Sequence, residues 1–206
     1  MTIKNRKLID IALALGLTAS IILSMSGFSA SCRDMYENII RIRIIANSDS
    51  EEDQNLKLKV RDAVLENTKL LFEDADSYSE AVTIAQNNLE FIRLVAEKEI
   101  RAEGFDYSVS LALKDEYFDT REYDNFTLPA GVYETLVFTI GEGEGQNWWC
   151  VLFPPLCLSA ASESVENEEA FIAVGLNSDQ YKIITETDDT TYYLRFKLLE
   201  ALQGIK

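Results

Sequence analysis

Ile39-Ile40-Arg41-Ile42-Arg43-Ile44-Ile45-Ala46 runs directly into Asn47-Ser48-Asp49-Ser50-Glu51-Glu52-Asp53. Arg41 and Arg43 alternate with Ile40, Ile42 and Ile44, the period-2 pattern of a half-buried strand. The residues that follow carry turn and cap chemistry. Ser48 with Glu51 three positions later fits a capping box. Glu51, Glu52 and Asp53 stand where the positive end of a helix dipole favours carboxylates. A strand that turns at once into a helix makes this a mixed fold.

Working outward, the helix is predicted over residues 50–72. Leu56, Val60, Val64 and Leu71 recur at helical spacing, and Asp53 with Lys57 reads as an i,i+4 pair. Asp76-Ser77 caps a second helix through Ala81, Ala85, Leu89, Ile92 and Ala96, with Gly104 as its stop. Strands are expected near 107–113, 132–140 and 148–153. The last pairs with the preceding one across Gly141-Glu142-Gly143-Glu144-Gly145, a hairpin-like turn. Residues 115–128 read as a loop. Residues 159–191 hold eight Asp/Glu against one Lys and read as a mobile surface segment, before a terminal helix over 193–202. The predicted fold class is α+β: two helices on a small antiparallel sheet, behind an N-terminal membrane or signal helix. Its parts are residues 1–32, an extracytoplasmic domain over 33–158, and an acidic segment with terminal helix over 159–206.

Lys4, Arg6 and Lys7 precede a stretch, Ile11 to Cys32, of 22 residues without a charge. That length crosses a bilayer core of ~30 Å as a helix. The basic side stays in the cytoplasm and the rest is exported. A cleaved secretion signal fits equally, since the small residues Ser29 and Ser31 precede Cys32. A lipid-attachment motif would want Leu at position 29. The residues after position 32 hold 16 basic and 34 acidic side chains, a formal charge of −18. Such a field repels nucleic acid and anionic headgroups.

The chain contains no histidine. Ser-His-Asp and Cys-His mechanisms and histidine-ligated zinc are thereby excluded. Three cysteines, one of them in the export segment, argue against a thiolate zinc site. Neither a metal nor a cofactor is expected. The enzyme class that survives is carboxylate chemistry, a cell-wall glycan hydrolase using a pair such as Asp49 and Asp53. Helix capping is the plainer role for those two. Asn47–Asp53 misses the EF-hand spacing and its glycine. The glycines at 141–145 make no phosphate cradle, because carboxylates are interleaved and no helix follows.

Asn147-Trp148-Trp149-Cys150-Val151-Leu152-Phe153-Pro154-Pro155-Leu156-Cys157 contains both tryptophans of the chain. Strand alternation sends one indole into the core and leaves the other at least partly exposed, as a contact residue. The prolines end the strand and turn the chain, so a Cys150–Cys157 disulfide is expected after export. Two buried thiols are the alternative. Arg61 lies one helical turn beyond Lys57, next to Asp62. The candidate partner-binding residues are Asn47, Asp49, Lys57, Arg61, Asp62, Trp148 and Trp149; no residue is assigned as catalytic.

Two stretches carry a family resemblance. Ile45 to Gln54, continuing through Leu56-Lys57-Leu58-Lys59-Val60-Arg61-Asp62-Ala63-Val64, resembles the first signature of the stage II sporulation protein R family. Leu128-Pro129-Ala130-Gly131-Val132-Tyr133, then Ile140-Gly141-Glu142-Gly143 and Asn147 to Cys157, resembles the second. The resemblance implies a non-enzymatic signal in endospore-forming bacteria, made in the forespore and exported between the two membranes. There it would activate a membrane-embedded aspartic protease of the mother cell, stage II sporulation protein GA, which matures the precursor of sigma factor E. The resemblance also leads one to expect histidine where Arg43 stands. That departure puts any pH-sensing or catalytic role for the position in doubt and leaves the strand reading intact.

Overall fold

The structure is a computed structural model that describes residues 3–72, 75–123, 126–154, 178–185 and 190–203. The chain opens with a long helix, α1 (Ile3–Tyr36), and a strand, β1 (Ile40–Ile45). Three helices follow: α2 (Glu51–Phe72), α3 (Tyr78–Asn87) and α4 (Leu89–Ala102). Then come β2 (Val109–Phe118), the short β3 (Arg121–Glu122) and β4 (Thr127–Leu128), and the longer β5 (Gly131–Ile140) and β6 (Asn147–Phe153). Two helices end the described chain, α5 (Ser178–Thr185) and α6 (Thr190–Gln203).

The main sheet has the order β2-β5-β1-β6. It is mixed, not antiparallel as expected, because β1 runs parallel to β5 and antiparallel to β6. The expected β5–β6 hairpin is also corrected: β1 lies between them, so the glycine turn crosses over the end of β1. Ile40, Ile42 and Ile44 are sealed from water and share a core with Leu56, Val60, Ile92, Ala96 and Ile100.

The helical layer has three helices where two were expected. Asn88 divides the second, its Nδ2 donating to the Ile84 carbonyl at 2.8 Å and drawing that carbonyl toward the break. The predicted start holds, since Ser77 Oγ accepts from the Glu80 N–H. So does the stop: Phe105 N–H reaches the Ile100 carbonyl and Gly104 N–H the Arg101 carbonyl, a Schellman closure around Gly104 at φ +85°.

Within the expected loop over 115–128, residues 115–118, 121–122 and 127–128 are instead strand. β2 continues to Phe118 and β3 pairs with β4, because the aromatics of this segment pack on the sheet's second face. Within the stretch read as mobile, residues 178–185 form α5, with Gln180 and Ile183 buried. Residues 155–177, and with them Cys157, lie outside the described residues.

The last turns of α1 also belong to the domain. Phe28, Cys32 and Met35 are buried, and Tyr36 Oη donates to the Ala130 carbonyl at 2.7 Å. Upstream, the helix is apolar and exposed, long enough by composition to cross a membrane; a secretion signal passes the same test.

Gly104 allows a clean stability test. A Cβ there would meet nothing within 4 Å. Gly104→Ala should therefore cost only the left-handed backbone term, about 1–2 kcal/mol, in denaturant unfolding. A larger loss would mean that the helix end is packed more tightly than the structure shows.

Candidate partner-binding surface

The two stretches that resemble family signatures meet at the top of β1. Asn47 is the hinge. Its Oδ1 accepts from the Glu142 N–H at 3.0 Å, and its Nδ2 donates to Asp53 Oδ2 at 2.8 Å. Its carbonyl accepts from the Glu144 N–H, and the Ala46 carbonyl accepts from the Gly145 N–H. Asp49 Oδ1 accepts from the Gln146 N–H at 2.7 Å. The glycines are needed for closeness: a Cβ on Gly145 would collide with the Ser48 carbonyl, and one on Gly141 with the Asn47 amide.

The helix cap is displaced from the expected one. Ser50, not Ser48, caps α2, with its Oγ accepting from the Asp53 N–H at 3.2 Å. Ser48 Oγ instead donates to Asp53 Oδ2 at 2.6 Å. Asp53 is 4% exposed. Burial pushes its carboxyl up, but hydrogen bonds from Ser48, Asn47, Tyr107 and Ser50 outweigh it and hold the pKa below the ordinary value. The expected Asp53–Lys57 pair is absent. Lys57 is 5% exposed, and its Nζ donates to Gln54 Oε1 at 2.6 Å and to the Gln146 carbonyl at 3.0 Å. Burial lowers the Lys57 pKa, against which the nearby Asp49 raises it.

Lys57 is thus a buried fastener and Asn47 a half-buried one, while Asp49 fastens the turn from the exposed side. Of the seven predicted contact residues, Asp49, Arg61, Asp62, Trp148 and Trp149 reach the surface wholly or in part. Arg61 Nε donates to Asp62 Oδ1 at 2.7 Å, and its guanidinium lies 5.3 Å from the Trp148 ring centroid. Trp149 faces the opposite side of β6, with the Arg121 guanidinium 4.4 Å from its centroid. Alternation is as expected, but the assignment of one indole to the core is corrected: both are half-buried, each under an arginine. Cys150 is disulfide-bonded and Cys32 is free.

Several residues of the second sheet face were not read from sequence. Arg41 was expected on a wet face and is 0% exposed. Its guanidinium lies 3.8 Å from the Phe118 ring centroid and 5.1 Å from that of Tyr133. Nη2 donates to Tyr123 Oη at 2.6 Å, while Nε and Nη1 have no hydrogen-bond partner among the described residues. Burial lowers its pKa, with Tyr123 opposing. Next to it, Arg43 donates through Nε to Asn147 Oδ1 at 2.9 Å and pairs with Glu116 at 3.0 Å. Nothing in the sequence announced the aromatic roof over Arg41, since its rings come from strands far apart in the chain.

No cluster of metal-ligating side chains occurs among the described residues. Asp49 and Asp53 are engaged as acceptors of internal hydrogen bonds. A lowered pKa at Asp53 is the reverse of what a general acid in glycan hydrolysis needs.

Asp53→Asn should destabilise the domain by about 1–3 kcal/mol at neutral pH. The folded pKa lies below the unfolded value of about 3.9, so the stabilisation is complete above that value and disappears as pH falls through it toward the folded pKa. Unfolding curves of the two proteins should therefore converge in acid. A constant gap across pH would show that the Asp53 charge is not what the clamp uses.

The family model for stage II sporulation protein R matches residues 36–163, more than half of the chain. A curated relative named stage II sporulation protein R, from Bacillus subtilis (strain 168), is 42% identical over 135 residues. The match covers 65% of this chain and 60% of the relative's length. No solved structure matches the chain. The matched region holds both halves of the Asn47–Asp53 clamp and both tryptophans, and on this evidence the chain belongs to the stage II sporulation protein R family.

Proposed function

We propose that this chain is an exported sporulation signal that activates a membrane-embedded aspartic protease of the mother cell, the protease stage II sporulation protein GA, so that it processes the precursor of sigma factor E. The observation that carries the reading is family membership over residues 36–163. The chemistry of the chain is in keeping with it. There is no imidazole for nucleophilic catalysis, and an acidic domain follows an apolar N-terminal helix. The contact surface under this reading is β6 with its neighbours: Trp148 with Arg61 and Asp62 on one side, Trp149 with Arg121 on the other. Half-buried aromatics flanked by arginine are the residue types that anchor protein interfaces. The place of action is the space between the forespore and mother-cell membranes.

The direct test is co-expression of the full chain with the protease and the sigma-factor precursor, scoring precursor cleavage. Cleavage should require this chain. Trp148→Ala and Trp149→Ala should each leave the domain folded, since neither indole is in the sealed core. At least one should weaken activation by about tenfold or more, the scale of an interface anchor. Precursor cleavage that is independent of the chain, or full activation by both folded variants, would sink the reading.

A further inference from the structure

Among the described residues, four buried side-chain polar atoms lack a hydrogen-bond partner: Arg41 Nε and Nη1, Arg121 Nε and Thr120 Oγ1. All four fall in one place, where residues 118–123 pass over the start of β1. Native folds leave few such atoms, so four together call for a cause. Burial first, and then the like charge of Arg121, lower the Arg41 pKa. Burial raises the Tyr123 pKa, and the charges of Arg41 and Arg121 both oppose it. The two guanidiniums therefore stand around one hydroxyl, which already takes the Arg41 Nη2 hydrogen bond.

The four atoms share a polarity. A guanidinium only donates, and a hydroxyl can donate too. What is missing is an acceptor, and a negative one, since water would satisfy the hydrogens but leave two like charges uncompensated. The neighbouring carboxylates are taken or turned away. Glu116 is held by Arg43 and Lys114. Asp119 is exposed beside Tyr117. Glu122 follows Arg121 on β3, so alternation turns it to the opposite side, where it is exposed. Residues 33–206 hold 34 acidic side chains against 16 basic ones, yet none of the described carboxylates pairs with Arg41 or Arg121.

Geometry points to the kind of acceptor. The Arg121 guanidinium lies over the Trp149 ring and that of Arg41 over Phe118. A guanidinium that sets its face on a ring keeps its edge, the fork of N–H groups that matches a carboxylate. Arg121 is half-buried, and of its nitrogens only Nε is both sealed and unpartnered, so the fork stands at the rim. Arg41 is sealed behind it.

We infer that Arg121, with Thr120 beside it and the Arg41 charge behind it, is a receptor for a carboxylate side chain of the protein that docks on Trp149. Arg121 takes the carboxylate, Thr120 adds a hydroxyl donor, and Arg41 acts through its field alone. The inference rests on the reading of β6 as the partner surface, and adds what meets it: an aspartate or glutamate seated beside the Trp149 ring.

Two experiments keep this inference apart from that reading. In the first, the full chain in neutral detergent is titrated with blocked glutamate at constant ionic strength. Trp148→Phe leaves Trp149 as the reporter, and the unaltered chain serves if that variant misfolds. Trp emission should change saturably; blocked glutamine should have no such effect, and Arg121→Gln should abolish the response. No saturable change, an equal response to the glutamine compound, or a response that survives Arg121→Gln overturns the inference. Tighter saturation by inorganic phosphate also overturns it, in favour of a free anion. In the second, precursor cleavage is scored on co-expression of the protease with Arg121→Glu. The folded variant should activate about tenfold less or worse. Reversing one Asp or Glu of the protease, on its side facing the intermembrane space, to Lys should restore cleavage. Full activation by the folded variant, or a loss that no single reversal restores, overturns the inference and leaves the signalling function standing. Absence of cleavage with the unaltered chain counts against that function, and the titration then decides the inference by itself.

Discussion

Asp53 holds a carboxylate in a place almost closed to water, and the rest of the domain is organised around the groups that make this tolerable. An unpaired buried charge would cost several kcal/mol. Here Ser48 and Asn47 donate to one of its oxygens, and Asn47 at the same time receives the Glu142 N–H from the crossover turn. One charge therefore joins three things: the end of β1, the start of α2 and the link between β5 and β6. The link has to pass over β1 to let β1 sit mid-sheet. The glycines at 141 and 145 allow that approach, because a side chain there would strike Asn47 or Ser48.

The second face of the sheet poses the opposite problem, a buried cation. Among the described residues no carboxylate pairs with Arg41; its charge is met by the faces of Phe118 and Tyr133 and by the Tyr123 hydroxyl. Arg43, two residues on, has the ordinary solution, an ion pair with Glu116 that Lys114 shares. The difference follows from cover. The β3–β4 hairpin and the end of α1 close over the Arg41 end of the strand, while the Arg43 end stays partly open.

These arrangements put two surfaces at different ends of the sheet. Trp148 and Trp149 pair with Ile44 and Arg43, near the clamp. α1 enters beside Gly131 and Ala130, at the end where β1 begins. A sheet whose core is sealed between them can receive the N-terminal helix at one end and present half-buried aromatics at the other without either disturbing the packing.

Much of this was legible in local pattern. The alternation in Ile40–Ile45, the helical spacing from Leu56 to Val64, the Ser77 cap and the Gly104 stop are all properties of short windows, and short windows decide them physically. The uncharged run from Ile11 to Cys32 and the lack of histidine likewise required no fold to interpret. Tertiary structure decided what depends on residues distant in sequence. Parallel pairing of β1 with β5 cannot be read from either strand, and it turned an expected hairpin into a crossover. Lys57 looks like a surface charge until the 141–147 turn arrives to take its hydrogen bond. Arg41 looks like a solvent-facing residue because alternation tells only that it points away from Ile40 and Ile42; whether that second direction is water or a roof of aromatic rings was settled by segments 77 or more residues away. Local sequence specifies which way a side chain points, and the fold alone specifies what it meets there.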